Sequence, residues 1–592
     1  MDKSTAQRVV SKTFKATFDR DRFRNFVNEL TNGFDETKKQ TMQIPDAFKP
    51  HVASCQRIGT YESPESELAD ILIVHLTESY KLERTRTALR DFVAHKLKRG
   101  DGEDNAYKEA ALVAFVAPDS QSWRFSFVRM EYETKRDPKT GKIKPEERLT
   151  PARRFSYIVG VDEECHTAQS RFLALLQDTA SKPMLSQLEE AFSVESVTKE
   201  FFAQYANLFA VTQKALDAIV AKDAGLKSEF TLKSVSTVDF TKKLLGQIVF
   251  LYFIQKKGWL GVPKNGSWGD GPRNFLRQLV AYAVREKRCF FNNVLEPLFY
   301  DTLATDRTKI NDLWTNDAWG ESECRIPFLN GGLFEPIAGY DWKDTNINLP
   351  NSLFTNSDRS PSGDIGTGIL DIFARYNFTV NESEPLEKEV AIDPEMLGKV
   401  FENLIEENRR KGLGAYYTPR EIVHYMCQES LINYLDSTLN RDEKVAARAD
   451  IAALIREGEQ AAHYETARKE GTVSYAARLP AAIEKQARAL DNALKEITVC
   501  DPAIGSGAFP VGMMTEIVRA RLALNPYFSN SAQRTTYLFK RHAIQYSIYG
   551  ADVDSGAVEI AKLRLWLSLV VDEDDIKQIK PLPNLDYKIV AL

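Results

Sequence analysis

Three short stretches of this chain carry residue types that suit a nucleotide-like cofactor. The first is Asp501-Pro502-Ala503-Ile504-Gly505-Ser506-Gly507-Ala508-Phe509. It follows the apolar run Ile497 to Cys500, which reads as the end of a buried strand, and precedes a helical pattern from Val511 to Leu524. An acidic residue, a turn of small residues and then a helix make a cofactor site at the carboxyl edge of a parallel sheet. Gly505 and Gly507 carry no side chain, so backbone and ligand can approach closely. Asp501 stands where a carboxylate can meet an ammonium group, directly or through water. The second stretch, Tyr549-Gly550-Ala551-Asp552-Val553-Asp554, ends another predicted strand. An acid at the tip of the second strand is the usual ribose reader of a doubly wound sheet, which places Asp552 against both ribose hydroxyls. Asp554 reads as a helix cap. The third stretch, Gly414-Ala415-Tyr416-Tyr417-Thr418-Pro419, is a loop ahead of a helix. Its Thr418 hydroxyl and the helix amides suit a carboxylate, although a capping role for Thr418 fits the same position.

These stretches need elements to hold them. The length of 592 residues suggests several domains. Residues 1–160 read as an α/β domain, with strands at Leu68 to Leu76, Ala110 to Ala117, Trp123 to Tyr132 and Phe155 to Val161, and a helix at Tyr80 to Lys98. Residues 161–390 read as a mainly helical domain, including Phe240 to Lys256. Residues 391–592 read as the cofactor-binding half of a doubly wound sheet. Helices are expected at Asp393 to Glu407 and Arg420 to Leu435, and the Ala-, Glu-, Lys- and Arg-rich segment 440–495 as one or two inserted surface helices. The fold class expected is therefore α/β together with α.

The three stretches, in this order, resemble those of the gamma-class N6-adenine DNA methyltransferases. They are Gly-Ala-Tyr-Tyr-Thr-Pro, then Asp-Pro-Ala-x-Gly-Ser-Gly-Ala-Phe, then Gly-x-Asp-x-Asp followed by Ala-x-Leu-Arg-Leu-Trp-Leu. The likeness is to the large restriction-modification (type IIG) or phage-defence methylases of the bacterial cytoplasm. Phe328 to Glu335 and Asp393 to Glu402 also resemble the helical region that precedes the catalytic domain there. The resemblance implies a class I, Rossmann-like methyltransferase sheet that binds S-adenosylmethionine. It assigns cofactor contacts to Tyr416, Tyr417, Thr418, Pro419, Asp501, Pro502, Ala503, Gly505, Gly507, Phe509 and Asp552. The family moves a methyl group to an extruded adenine held by an Asn-Pro-Pro-Tyr type loop. No two prolines are adjacent in this sequence, so that loop is not in it. Asn525-Pro526-Tyr527-Phe528 has one proline and lies ahead of the second strand, which makes it a turn. Lys588 to Leu592 reads as the third strand. The expectation is a catalytic loop, further strands and a target-recognition domain in a missing C-terminal half or partner chain, with double-stranded DNA as substrate. Alone, the chain is expected to bind cofactor without transferring methyl groups. The alternatives are a non-catalytic DNA-binding or assembly subunit, or a restriction polypeptide with an N-terminal endonuclease.

Composition excludes little. A net charge of −5 means any DNA contact needs local basic patches. The candidate is Lys135 to Arg154, read as a loop, with eight Lys/Arg against three Asp/Glu. Its Lys142, Lys144, Arg153 and Arg154 could meet phosphates, or the loop could simply be solvated. The six cysteines form no Cys-x-x-Cys pair, which argues against zinc and disulfides and fits a reducing cytoplasm. No run approaches the roughly 20 apolar residues of a membrane helix. A nuclease reading of residues 1–160, with Mg2+, would draw on Asp70, Glu133 and Lys135. Pro118-Asp119 and Glu133-Thr134-Lys135 fit its letters, but Asp119 falls in a hairpin turn and Glu133 about 33 Å down the next strand. A hairpin with a charged end is the plainer reading.

Overall fold

The computed structural model describes the backbone of residues 1–592 other than 79–85, 99–107, 120, 137–142, 162, 307–312, 315–322, 330, 362, 380–386, 393–397, 399–417, 442–444, 470–478, 530–532 and 573–581. The chain forms two compact units. The first comprises Met1–Glu200, Ala374–Asn377 and Ser383–Ile392. The second comprises Phe201–Phe373, Phe378–Glu382 and Asp393–Leu592.

The first unit is built on a mixed sheet. Its strands are β1 (Gln40–Met42), β2 (Val52–Glu62), β3 (Leu68–Leu76), β4 (Ala110–Val116), β5 (Ser122–Arg136) and β6 (Ile143–Gly160), in that spatial order. β3 and β4 run parallel, joined by the Arg86–Lys98 helix; the other pairs among these six are antiparallel. The two parallel strands are near-continuous apolar runs because helices cover both faces of the sheet. On one face Leu89, Phe92, Val93 and Leu97 pack on Leu72, Val74, Val113 and Phe115. On the other, Phe14 and Phe26 of the helices Lys3–Phe14 and Arg20–Thr31 meet Phe125 and Phe172 edge to face. The strand Glu387–Glu389 adds to this sheet parallel to β6. Its Glu389 pairs with Arg124 at 2.9 Å, both buried. This strand falls in a stretch that the sequence suggests is helical. A charged run such as Glu387-Lys388-Glu389 gives no strand signal until Arg124 is known to wait beneath it.

The segment 135–154, read as a basic loop, corrects to a long hairpin: β5 runs on to Arg136 and β6 begins at Ile143. β-Alternation is hidden there by the density of charge.

The second unit is mainly helical. The Thr237–Lys256 helix, capped by Ser236, is buried continuously from Leu244 to Gln255. Beside it lie two π-helical segments, Phe291–Leu295 and Pro297–Leu303, with Glu296 between them. Glu296 is fully buried. Its Oε1 accepts from the Tyr340 hydroxyl at 2.6 Å, and Tyr340 meets Tyr300 at 3.1 Å. Burial pushes the Glu296 carboxyl up to about 8 from 4.5. The neutral form is therefore the one the fold accommodates, and stability declines as pH rises from 4.5 through about 8. Glu296→Gln keeps an acceptor for Tyr340 and removes the proton. It is expected to flatten this decline, gaining on the order of 2–4 kcal/mol at pH 9 relative to pH 5. Denaturant midpoints measured across that pH range for both proteins check it.

The inserted segment is not a surface decoration. Its helices Arg448–Lys469, Ala481–Lys485 and Ala487–Glu496 bury Ile451, Leu454, Ile483, Leu490 and Leu494. The high content of Ala, Glu and Lys reports helix propensity and says little about exposure. No described helix is long and apolar enough to cross a membrane.

Candidate cofactor site

Three parallel strands form the sheet at the end of the chain: Val499–Asp501, Ile548–Asp552 and Ile589–Ala591, in sequence order. The Ala508–Ala523 helix connects the first to the region ahead of the second, and the Ser555–Asp572 helix follows the second. In parallel register Asp501 pairs with Gly550, and Asp552 with Ala591. Both acids thus stand at carboxyl ends of adjacent strands.

The loop between Asp501 and the helix is fixed by its backbone. The Ile504 amide donates to the Ala551 carbonyl at 2.9 Å, and the Gly507 amide donates to the Ile504 carbonyl at 2.9 Å. Gly505 and Gly507 adopt φ of 51° and 84°, in the left-handed region. A β-carbon on Gly507 would stand 3.1 Å from Ala561, and one on Gly550 2.3 Å from the Ile504 side chain. Arg564, buried in the second helix, donates to the Ser506 carbonyl at 3.0 Å.

Asp552 reaches into this loop. One carboxylate oxygen accepts from the Gly505 amide at 2.8 Å and the other from the Asp554 amide at 2.9 Å. A carboxylate offers about four lone-pair sites, so one acceptor position per oxygen is left. Two adjacent acceptors match a pair of neighbouring hydroxyls. Asp501 accepts from the Ala503 amide at 3.1 Å. Burial raises the Asp501 carboxyl above its ordinary 3.8, and the negative Asp552 pushes it the same way. A bound cation would relieve both. Asp554 caps the following helix through the Gly556 and Ala557 amides at 2.8 and 3.2 Å, as its position suggested.

Tyr416 and Tyr417 lie outside the described residues. Thr418 is half-buried and Pro419 is exposed, and Pro419 occupies the cap position of the Arg420–Leu439 helix with no side chain capping it. That helix crosses the Ala508–Ala523 helix closely: a β-carbon on Gly512 would stand 2.6 Å from Val423. The resembling segments also converge here. Gly332 abuts Trp566, with 3.0 Å left for a β-carbon, and Gly398 abuts Ser506, with 2.7 Å. The rest of 393–402 lies outside the described residues. Arg564 stands inside the Leu-Arg-Leu-Trp-Leu run, whose Leu563, Leu565 and Trp566 are core, as their apolar pattern indicates.

Among the described residues one face of the small sheet is partly open. Cys500 is exposed, and Tyr549, its register partner, is 36% exposed beneath the Lys588 ammonium at 3.9 Å. Among the described residues the outer edge of Val499–Asp501 pairs with no strand.

Asn525-Pro526-Tyr527 forms a 3-10 turn whose Asn525 side chain holds Arg534, as a turn reading requires. In the first unit Arg153 is exposed, but Arg154 is buried with its guanidinium 5.3 Å from the Phe115 ring centroid. Burial removes Arg154 from the phosphate candidates. Lys142 lies outside the described residues, and Lys144 sits on β6. Asp70, on β3, is buried; it accepts from Thr60 at 2.9 Å and faces Arg57 and Lys108 at 3.6 and 3.9 Å. Strand register links Asp70 to Ala111 and Ala111 to Val128, five residues short of Glu133 on β5. That offset alone is about 17 Å, so the sheet does not bring Asp70 and Glu133–Lys135 to one ion. No group of three metal-ligating side chains occurs among the described residues.

No family model matches the chain. A putative type II restriction enzyme and methyltransferase of Methanocaldococcus jannaschii is 28% identical over 442 residues, covering 67% of this chain and 32% of its own length. The chain thus spans about a third of that curated relative. Among solved structures, the type IIL restriction-modification enzyme MmeI in complex with DNA is 15% identical, over 64% of this chain and 38% of that one, with a TM-score of 0.32. A DrdV–DNA complex is 10% identical over 98% of this chain and 39% of that one, with a TM-score of 0.25. Neither score establishes a shared fold.

Proposed function

We propose that this chain binds S-adenosylmethionine and serves a site-specific adenine-N6 DNA methyltransferase of the restriction-modification or phage-defence kind. The observation that carries the reading is Asp552, held by two amides with an acceptor left on each oxygen, beside the glycine loop of Asp501. In this reading Asp552 holds the ribose. Asp501 meets the amino group of the methionine part, and Thr418 with the first amides of the helix after Pro419 takes its carboxylate. Tyr416, Tyr417, Pro502, Ala503, Gly505, Gly507 and Phe509 shape the pocket between them. When bound, the cofactor supplies an activated methyl group. The relative of matching sequence combines restriction enzyme and methyltransferase in its name, which supports the class of reaction.

The base-holding half of the reaction is proposed to come from further strands and helices. Both faces of a parallel sheet are normally covered, and the face exposed at Cys500 and Tyr549 among the described residues is where such a layer would pack. Double-stranded DNA is the proposed substrate, with Lys142, Lys144 and Arg153 as candidate phosphate contacts.

Calorimetric titration with S-adenosylmethionine tests the cofactor reading, and absence of binding overturns it. The pH dependence is diagnostic. Because the free Asp501 carboxyl is raised above 3.8, the cofactor's cation is expected to displace a proton at pH values where an ordinary aspartate is already ionised. Affinity is expected to fall with decreasing pH sooner than an ordinary aspartate would allow, with protons released to buffer on binding. Asp501→Asn should bind weakly and without that release.

A further inference from the structure

We propose that Glu516 is a positioning residue that locks the Thr418-bearing helix onto the glycine-loop helix and so sets the methionine end of the cofactor site. The inference rests on the S-adenosylmethionine reading above. Glu516 lies in the third turn of the Ala508–Ala523 helix and is 1% exposed. One carboxylate oxygen meets His424 Nδ1 at 2.6 Å; the other accepts from Gln428 Nε2 at 3.1 Å. His424 and Gln428 are four apart in the Arg420–Leu439 helix, hence on one face. Arg519 adds a positive charge at 3.4 Å. Burial raises the Glu516 carboxyl, but the His424 hydrogen bond and the Arg519 charge outweigh it, and the net direction is down. The group therefore stays ionised and keeps both grips.

The geometry shows why a grip matters. The two helices touch most closely where Gly512 meets Val423, with 2.6 Å left for a β-carbon. Cys427 also lies against the Phe509 carbonyl, at 3.8 Å. Gly507 precedes Gly512 by five residues and Thr418 precedes Val423 by five. The helices begin at Arg420 and Ala508, three and four residues before the crossing, so at about 1.5 Å per residue each start lies about 4–6 Å along its axis from it. A crossing at a glycine is a close contact and also a pivot. The bidentate grip of Glu516 fixes rotation about it, and rotation there would swing Thr418 away from Asp501. The ribose end does not depend on this pivot, because Asp552 and the glycine loop bond to each other directly.

Two ligands separate the ends. S-adenosylmethionine uses both; adenosine lacks the methionine part. Calorimetry with the full chain is expected to show Glu516→Ala weakening S-adenosylmethionine about tenfold, the loss of about one charged hydrogen bond. Adenosine should stay within about twofold of wild type. Glu516→Gln, whose carbonyl still accepts from His424, should recover most of the loss. Should Glu516→Ala fail to fold, His424→Ala is read against the same two ligands. Unchanged S-adenosylmethionine affinity, or equal weakening of both ligands, would overturn the proposal while leaving the cofactor reading in place. A wild-type chain that binds neither ligand would sink the cofactor reading and this inference with it.

Discussion

Asp552→Ala is expected to abolish measurable S-adenosylmethionine binding while the chain stays folded. The carboxylate offers the ribose two acceptors in a site shaped by its own bonds to the Gly505 and Asp554 amides. Hydrogen bonds to a charged group are each worth about 1.5–3 kcal/mol. Losing two costs about 3–6 kcal/mol, or roughly 100- to 10,000-fold in affinity. Adenosine should lose binding in parallel, since the effect is at the ribose. Asp552→Asn replaces an acceptor with a donor and should fall between, about tenfold or more below wild type. The folding cost should be small, because both amides sit in a part-buried loop that water reaches. Calorimetry of the three proteins, with thermal melts alongside, decides the matter. Asp552→Ala binding within threefold of wild type would mean that the loop is a structural turn and the cofactor lies elsewhere.

The strands that carry these acids were legible because parallel strands write themselves as apolar runs ending in small and acidic residues. Leu68–Leu76 and Ala110–Val116 announced themselves the same way. What could not be read depended on distant partners. Glu387–Glu389 becomes a strand only because β6 lies beside it and Arg124 pairs with Glu389. Arg154 looked like a surface cation, yet strand alternation and the Phe115 ring take it inside. The inserted helices looked exposed because a helix with a narrow apolar stripe is mostly polar in composition. Their Ile451, Ile483 and Leu494 are nonetheless buried. Glu516 is the same lesson at the site. A lone glutamate in a helix is ordinarily solvated, and only the fold places His424 and Gln428 against it. Local pattern reveals elements; contacts between residues some ninety positions apart decide which charges matter.

Asp491→Ala is expected to cost about 3–5 kcal/mol of stability, because it strands two buried cations. Asp491 accepts from Arg521 Nε at 2.9 Å and from both terminal nitrogens of Arg534 at 3.0 Å. The side chains of Arg521 and Arg534 are only 7% and 6% exposed. Their guanidiniums lie over Phe539, at 4.1 and 5.0 Å, and Arg534 also lies over Phe528 at 3.8 Å. Burial alone would raise the Asp491 carboxyl, but the two arginines outweigh it and hold it below 3.8. Its contribution is therefore present above pH 3.8 and lost as pH falls through the lowered value. The penalty of Asp491→Ala should shrink in the same acid range, which denaturant midpoints at neutral and acidic pH will show. Asn525 belongs to this cluster, accepting from Arg534 Nε at 2.8 Å and donating to the Arg534 carbonyl at 3.0 Å. Asn525→Ala should thus cost about 1–3 kcal/mol of stability and leave S-adenosylmethionine affinity unchanged. If Asn525 instead belonged to a base-holding loop, its loss would spare stability, and the Asn525-Pro526-Tyr527-Phe528 turn would have to be reconsidered as part of the active site.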